Sequence, residues 1–212
     1  MRAWLLLASA LGVAECQRAP AEDFSSRPVA PSAASVASPP ASTGPTATLP
    51  PGRCLLPTPE RPPPPVRAGP AAGCPEDPEA SQAAPATPLP VAHVTFPDAI
   101  GAAIEAQVVR SPHDTMRGLM YRTSLGPDRG MLFDLRTRED HQFWMHNTCI
   151  PLDLLYIEDD GFIVGVVENA PTLNDQPRGV GCPSVYVLEV NAGWSRQHGV
   201  RAGQHARFPG TR

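Results

Sequence analysis

Leu152-Asp153-Leu154-Leu155-Tyr156-Ile157-Glu158 runs into Asp159-Asp160-Gly161 and out through Phe162-Ile163-Val164-Gly165-Val166-Val167-Glu168. Two short runs of branched and aromatic residues around an Asp-Gly turn read as an antiparallel hairpin. Before it, Pro151 breaks the chain, and residues 141–148 read as another strand. Residues 130–135, 94–96 and 102–110 carry further β-like patterns, weakened in the last by its alanines. After the hairpin come a strand at 185–190, a short helical turn at 192–198 and a closing segment at 205–208. Residues 111–122 differ: Ser111-Pro112-His113-Asp114 opens them, and Met116, Leu119 and Met120 at helical spacing predict a short helix. With no βαβ rhythm, the pattern predicts a mainly β fold. We expect a compact antiparallel β-sandwich or barrel-like domain with one or two short helices, the alternative being a two-layer α+β sheet.

The chain has 212 residues, and proline divides it. Twenty of the 28 prolines lie between Pro20 and Pro90, a stretch with one aromatic, Phe24. Such a Pro/Ala/Ser-rich segment buries too little apolar surface to offset its chain entropy, so residues 17–90 are expected to form a disordered spacer. Residues 91–212 remain as a single globular domain, a normal size for one core. At polyproline II spacing the spacer reaches on the order of 200 Å, a tether holding the domain off a surface. All seventeen basic residues are arginine, and acids outnumber them in both parts of the chain. That balance sets nucleic acid aside as a partner.

Residues 1–16 read as a targeting segment. Arg2 precedes an apolar run from Ala3 to Val13, too short to span a bilayer and of the length of a secretory signal. Val13-Ala14-Glu15-Cys16 resembles a bacterial lipobox, with Cys16 the lipidated residue and Glu15 a departure from that pattern. The expected location is the periplasm or cell envelope, anchored through lipid; plain secretion after Ala14 is the rival. Four cysteines then remain, an even number for an oxidising compartment. The simplest pairing joins Cys54 to Cys74 and Cys149 to Cys182, with free thiols at Cys149 and Cys182 as the alternative.

Five strings carry a family resemblance. They are Arg117-Gly118-Leu119-Met120-Tyr121-Arg122, Gly130-Met131-Leu132-Phe133, the run from Phe143-Trp144-Met145-His146-Asn147-Thr148 through Cys149-Ile150-Pro151-Leu152-Asp153, Glu168-Asn169-Ala170-Pro171, and Val187-Leu188-Glu189-Val190-Asn191-Ala192-Gly193. In order and spacing they resemble the family called domain of unknown function 192, over about residues 91–208. His146 stands where that family often has Lys. The resemblance implies a compact, mainly β fold and no established activity.

The residues themselves argue for recognition more than for catalysis. Ser184, His146 and Asp153 could form a triad, but no nucleophile-elbow sequence supports it. Asp153 and Glu189 are the best carboxylate pair for hydrolysis, and both could equally bond backbone or Arg. His141, His146, Cys149 and Cys182 could ligate zinc, yet residues five apart on a strand face opposite ways. No metal or cofactor is therefore expected. Trp144 with Asn147 and Asp153 offers an aromatic plate, an amide and a carboxylate, a common way to hold a sugar or polar ring. Arg117 and Arg122 could clamp a carboxylate or phosphate. The expected ligand-binding set is Arg117, Met120, Arg122, Trp144, Met145, Asn147, Thr148 and Asp153, in a cleft where the 117–122 segment meets the 144–153 segment. The expected function is a monomeric, tethered module that binds an unidentified small ligand. The alternatives are a small hydrolase or lyase using Asp153, and a purely structural envelope module.

Overall fold

All six residues of Leu152–Ile157 are buried, so this strand has no wet face and must be covered on both sides. In the computed structural model, which describes residues 52–81 and 88–211, it lies inside a six-stranded sheet. The strands in chain order are β1 (Val91–Thr95), β2 (Ala103–Val109), β3 (Arg129–Glu139), β4 (Phe143–Met145), β5 (Leu152–Ile157), β6 (Ile163–Ala170), β7 (Asn174–Arg178) and β8 (Ser184–Asn191). Two short helices accompany them, α1 (Pro112–Arg117) and α2 (Trp194–Gln197). The large sheet is ordered β1-β2-β3-β8-β5-β6, and β4 and β7 make a separate ribbon.

The period of two along each strand sorts side chains into two cores. Leu132, Leu155, Ile157, Leu188 and Val190 pack with β1, β2 and Trp194 on one face. Met131, Phe133, Leu152, Leu154, Tyr156 and Val187 pack with Leu119, Met145 and Ile150 on the other. By the same alternation Glu189 goes with Val187, and Asp153 goes with Leu155 on the opposite face. The 152–168 hairpin closes as its sequence indicates. Gly161 takes a φ of 89°, and the Asp160 carboxylate accepts the Phe162 N–H at 3.0 Å.

The class is mainly β with two short helices, but the sheet is mixed and open, not antiparallel throughout and not a barrel. Strands β2 and β3 are parallel, in register from Glu105 opposite Arg129 to Val109 opposite Phe133. A parallel pair needs a crossover, and residues 110–128 provide it with α1 inside. That helix has only six residues, too few to give a βαβ rhythm in the sequence. Its cap is legible: Ser111 Oγ accepts the Asp114 N–H at 3.1 Å. It stops short of residue 122 because Gly118 turns at φ 48°, where an added Cβ would come within 3.1 Å of the Phe133 ring. The 141–148 strand likewise contracts to β4, since Asn147 takes a φ of 50°. β7, Asn174-Asp175-Gln176-Pro177-Arg178, carries no apolar alternation and was not expected.

Residues 52–81 differ most from expectation. Their composition assigns them to a disordered spacer, yet they run as an extended strap along the domain. Disulfides Cys54–Cys182 and Cys74–Cys149 fix the strap, so the pairing within the spacer and the pairing of Cys149 with Cys182 are both corrected. The Arg53 guanidinium lies 3.9 Å over the Phe162 ring and binds Asp160 at 2.6 Å, holding that carboxyl below its usual range. Leu56 N–H donates to Val164 O at 2.8 Å, and Arg196 donates to the carbonyls of Pro59 and Glu60. Covalent and ionic ties supply what the missing apolar side chains cannot. Residues 1–51 and 82–87, including the proposed signal and Cys16, lie outside the described residues. Among the described residues no helix is long and apolar enough to cross a membrane.

Candidate functional site

A cleft of about 540 Å³ opens on the second face of the sheet, between the end of the α1 segment and β4. Its walls are largely apolar: Met116, Leu119 and Met120 on one side, Phe133 and Leu135 from β3, and Phe143 and Trp144 opposite. Trp144 is 45% exposed and stands 5.1 Å from the His146 ring, a plate at the mouth rather than a core residue. Arg110, Arg117, Arg136 and His141 reach the rim. Two of these cations are neutralised locally. Arg110 pairs with Asp134 at 2.7 Å, and Arg117 is held by Asp77 at 2.6 Å and Glu79 at 3.0 Å, both from the strap. Arg136 has a φ of 64°, in the stretch where β3 slips register against β8 between Asp134 and Glu139. Irregularities of this kind re-aim side chains beside sites.

The floor holds a carboxyl group. Glu189 lies on β8 opposite Met131 of β3 and Leu154 of β5, and is 4% exposed. Among the described residues no donor hydrogen-bonds to it and no ion pair includes it. Burial is the main cause that pushes its pKa up to about 8, opposed only by the charge of Arg122. Arg122 is itself half-buried, bonded to Gln107 at 2.6 Å, and its own pKa is lowered by desolvation. At neutral pH Glu189 is therefore chiefly a neutral acid facing an apolar cleft. Perturbed carboxyls in clefts are where functional chemistry concentrates.

The expected set divides. Arg117, Met120, Trp144 and Thr148 line the cleft. Arg122 does not line the cleft and acts on Glu189 through its charge, and Met145 is wholly buried. Asn147 is a brace. Its side-chain amide donates to Tyr121 Oη at 2.9 Å while its carbonyl accepts the Tyr121 N–H at 2.8 Å, tying two left-handed turns together. Asp153 is the clearest correction. It faces away from Trp144 and accepts backbone N–H groups from Asn169, Gly193 and Ser195 at 2.9–3.0 Å. Burial raises its pKa and those three donors oppose the rise. An acid so occupied organises the start of α2 and has no reach into the cleft. Asp153→Ala should lower unfolding free energy by about 2–3 kcal/mol, with the buried Ser195 N–H left without its acceptor, as urea denaturation would read. A stability unchanged within experimental error would show that water replaces the carboxylate.

Catalytic alternatives fare no better. Ser184 is fully buried and His146 is bound to Asp175 at 2.8 Å, so no triad assembles with Asp153. Cys149 and Cys182 are consumed in disulfides and cannot serve as zinc thiolates. Met116, Phe133, Arg136 and Glu189 are among the contributors that the sequence reading passes over for the cleft. The signal for Glu189 was present: a lone acid between Leu188 and Val190 in a buried strand.

A family model described as Uncharacterized ACR, COG1430 (DUF192) matches residues 94–208. A crystal structure of a Sinorhizobium meliloti 1021 protein, provisionally described as a transcription regulator, is 34% identical with a TM-score of 0.56. The match covers 58% of this chain and 98% of that one. A protein of unknown function from Novosphingobium aromaticivorans DSM 12444 is 28% identical with a TM-score of 0.51, over 61% of this chain and 96% of that one. No curated protein matches.

Proposed function

The chain belongs to the DUF192 family, a family defined without an activity, and from that premise we propose that it is an extracytoplasmic binding domain that takes a small, apolar-bodied ligand in the Trp144 cleft. One observation carries the reading: a largely apolar cleft converges on a single buried carboxyl that no described protein group satisfies. Pockets built this way, apolar walls with few polar anchors, are the usual form of small-molecule sites. The lining favours an apolar body over a sugar, because Met116, Leu119, Met120 and Phe133 offer nothing to hydroxyl groups. Asp153, the residue a hydrolase would need, is engaged by three backbone donors. The name given to the Sinorhizobium protein is not carried over, since acids outnumber arginines here and the net charge is −4.

The two disulfides suit an oxidising compartment. We take the protein to be exported by its first sixteen residues and held at a membrane through lipid on Cys16. Acylated anchors need more than one chain for stable attachment, and lipoprotein processing supplies them.

A thermal-shift screen with apolar acids, amides, sugars, nucleotides and metal salts tests the cleft. A ligand raising the melting temperature by several degrees should lose that effect in Trp144→Ala. The half-exposed Trp144 contributes little to the core, so the unliganded variant should melt within a few degrees of the wild type. A ligand whose effect survives the substitution binds elsewhere.

A further inference from the structure

Resting on the binding reading above, the chemistry of the floor narrows the ligand class. An ionised carboxylate needs donors around it, and burying one without them is costly. Glu189 has none among the described residues, and its cross-strand neighbours are Met131 and Leu154. The groups that face it from each packed element are few. Arg122 acts on it from the segment after α1, and Tyr156 of β5 is raised partly by its presence. Arg117 of α1, Asp134 and Arg136 of β3, Arg110 and His141 share the cleft at its rim. Arg110 and Arg117 are neutralised there by Asp134, Asp77 and Glu79, which leaves Arg136 as the rim charge that an entering organic cation would meet. Arg136 is the rim arginine with neither of the acid partners that Arg110 and Arg117 have.

We propose that Glu189 engages its ligand as an unionised carboxylic acid, donating a hydrogen bond to a carbonyl or other acceptor at the buried end of an uncharged or anionic apolar molecule. A carboxylic acid in an apolar site is a strong directional donor, and it discriminates sharply because a ligand without an acceptor leaves that donor unpaired. The raised pKa, about 8, fits a group that keeps its proton at neutral pH.

The test uses two matched probes on the full disulfide-bonded protein: N,N-dimethyl-2-phenylacetamide, which accepts but cannot donate, and benzyltrimethylammonium, permanently cationic. Methyl-labelled Met116 and Met120 report occupancy of the cleft by NMR, since both line it. The amide should shift these methyls at pH 6.5 and bind about tenfold more weakly at pH 9.0, as the competent protonated fraction falls. Glu189→Gln, which keeps a donor, should bind the amide equally at both pH values, and Glu189→Ala should bind it weakly at both. Tighter binding of the ammonium than of the amide, or amide binding that is pH-independent in the wild type, overturns the donor role and leaves the cleft reading standing. No methyl shift with either probe overturns the cleft reading and this inference with it.

Discussion

Replacing Cys54 and Cys182 together by Ser should lower the unfolding free energy by about 4 kcal/mol, and removing the Cys74–Cys149 bond as well should bring the loss to roughly 8–9 kcal/mol. The argument is topological. Cys54–Cys182 spans 128 residues and encloses Cys74–Cys149, which spans 75. With the inner bond intact, the outer one closes an effective loop of only about 53 residues, worth about 4 kcal/mol in the chain-entropy model. The inner bond alone is worth about 4.5 kcal/mol by the same relation. Their sum rivals the whole stability of an ordinary domain, so the reduced protein should be partly unfolded at room temperature. Urea denaturation of each Ser pair, with and without the other bond, checks the nesting.

The size of the loss also says whether the strap stays seated. Arg53 on Asp160, Leu56 on Val164 O, and Arg196 on the Pro59 and Glu60 carbonyls do not depend on the sulfur bonds. If they hold the strap down, only the unfolded state gains freedom and the full loss appears. If the strap lifts off, the folded state gains freedom too, and the loss shrinks towards zero. Hydrogen exchange at the Leu56 amide, protected in the first case and open in the second, tells the two apart. A lifted strap would also remove Asp77 and Glu79 from Arg117, leaving a free cation at the cleft mouth.

The parts of this fold legible in the sequence are those where one residue's local chemistry decides the outcome. Asp159-Asp160-Gly161 forms its turn, Ser111 caps its helix, and the apolar runs of β3, β5 and β8 form strands. Long-range pairing was opaque for physical reasons. Nothing local in Ala103–Val109 says that its neighbour is β3 in parallel, because a crossover through a six-residue helix leaves no periodic trace. Nothing in the strap's composition reveals that two of its cysteines face the domain. The site was half legible. The 117–122 and 143–148 strings do meet, but Asp153 belongs to the opposite face by a single step of strand parity. The same parity turns Glu189 into the cleft, and assigning it needs the register of β8 between β3 and β5.

Glu189→Gln should flatten the fall of stability between pH 5 and pH 9, because the folded domain holds this proton far more tightly than the unfolded chain does. The group titrates near 4.5 when free and near 8 when folded. Its contribution is thus fully present below pH 4.5 and is lost as pH rises through 8. The loss amounts to about 4 kcal/mol of stability across that window. Gln carries no proton to lose, so the wild type should be the less stable protein at pH 9 while the two lie closer together at pH 5. Other shifted groups do not mimic this. Asp77, Asp114 and Asp160 have lowered values and act at more acid pH. His113 is raised, chiefly by its hydrogen bond to Glu79, but it is exposed, so solvent screens it. These four groups and Asp153 are common to the two proteins and cancel in the difference. Parallel stability profiles for wild type and variant, measured by urea denaturation across the range, would mean that Glu189 ionises without penalty and that water or a donor reaches the cleft floor. A divergent pair would mean that the fold keeps a destabilising acid at neutral pH, a cost that packing alone would remove by placing Leu or Met there and that a ligand-binding donor explains.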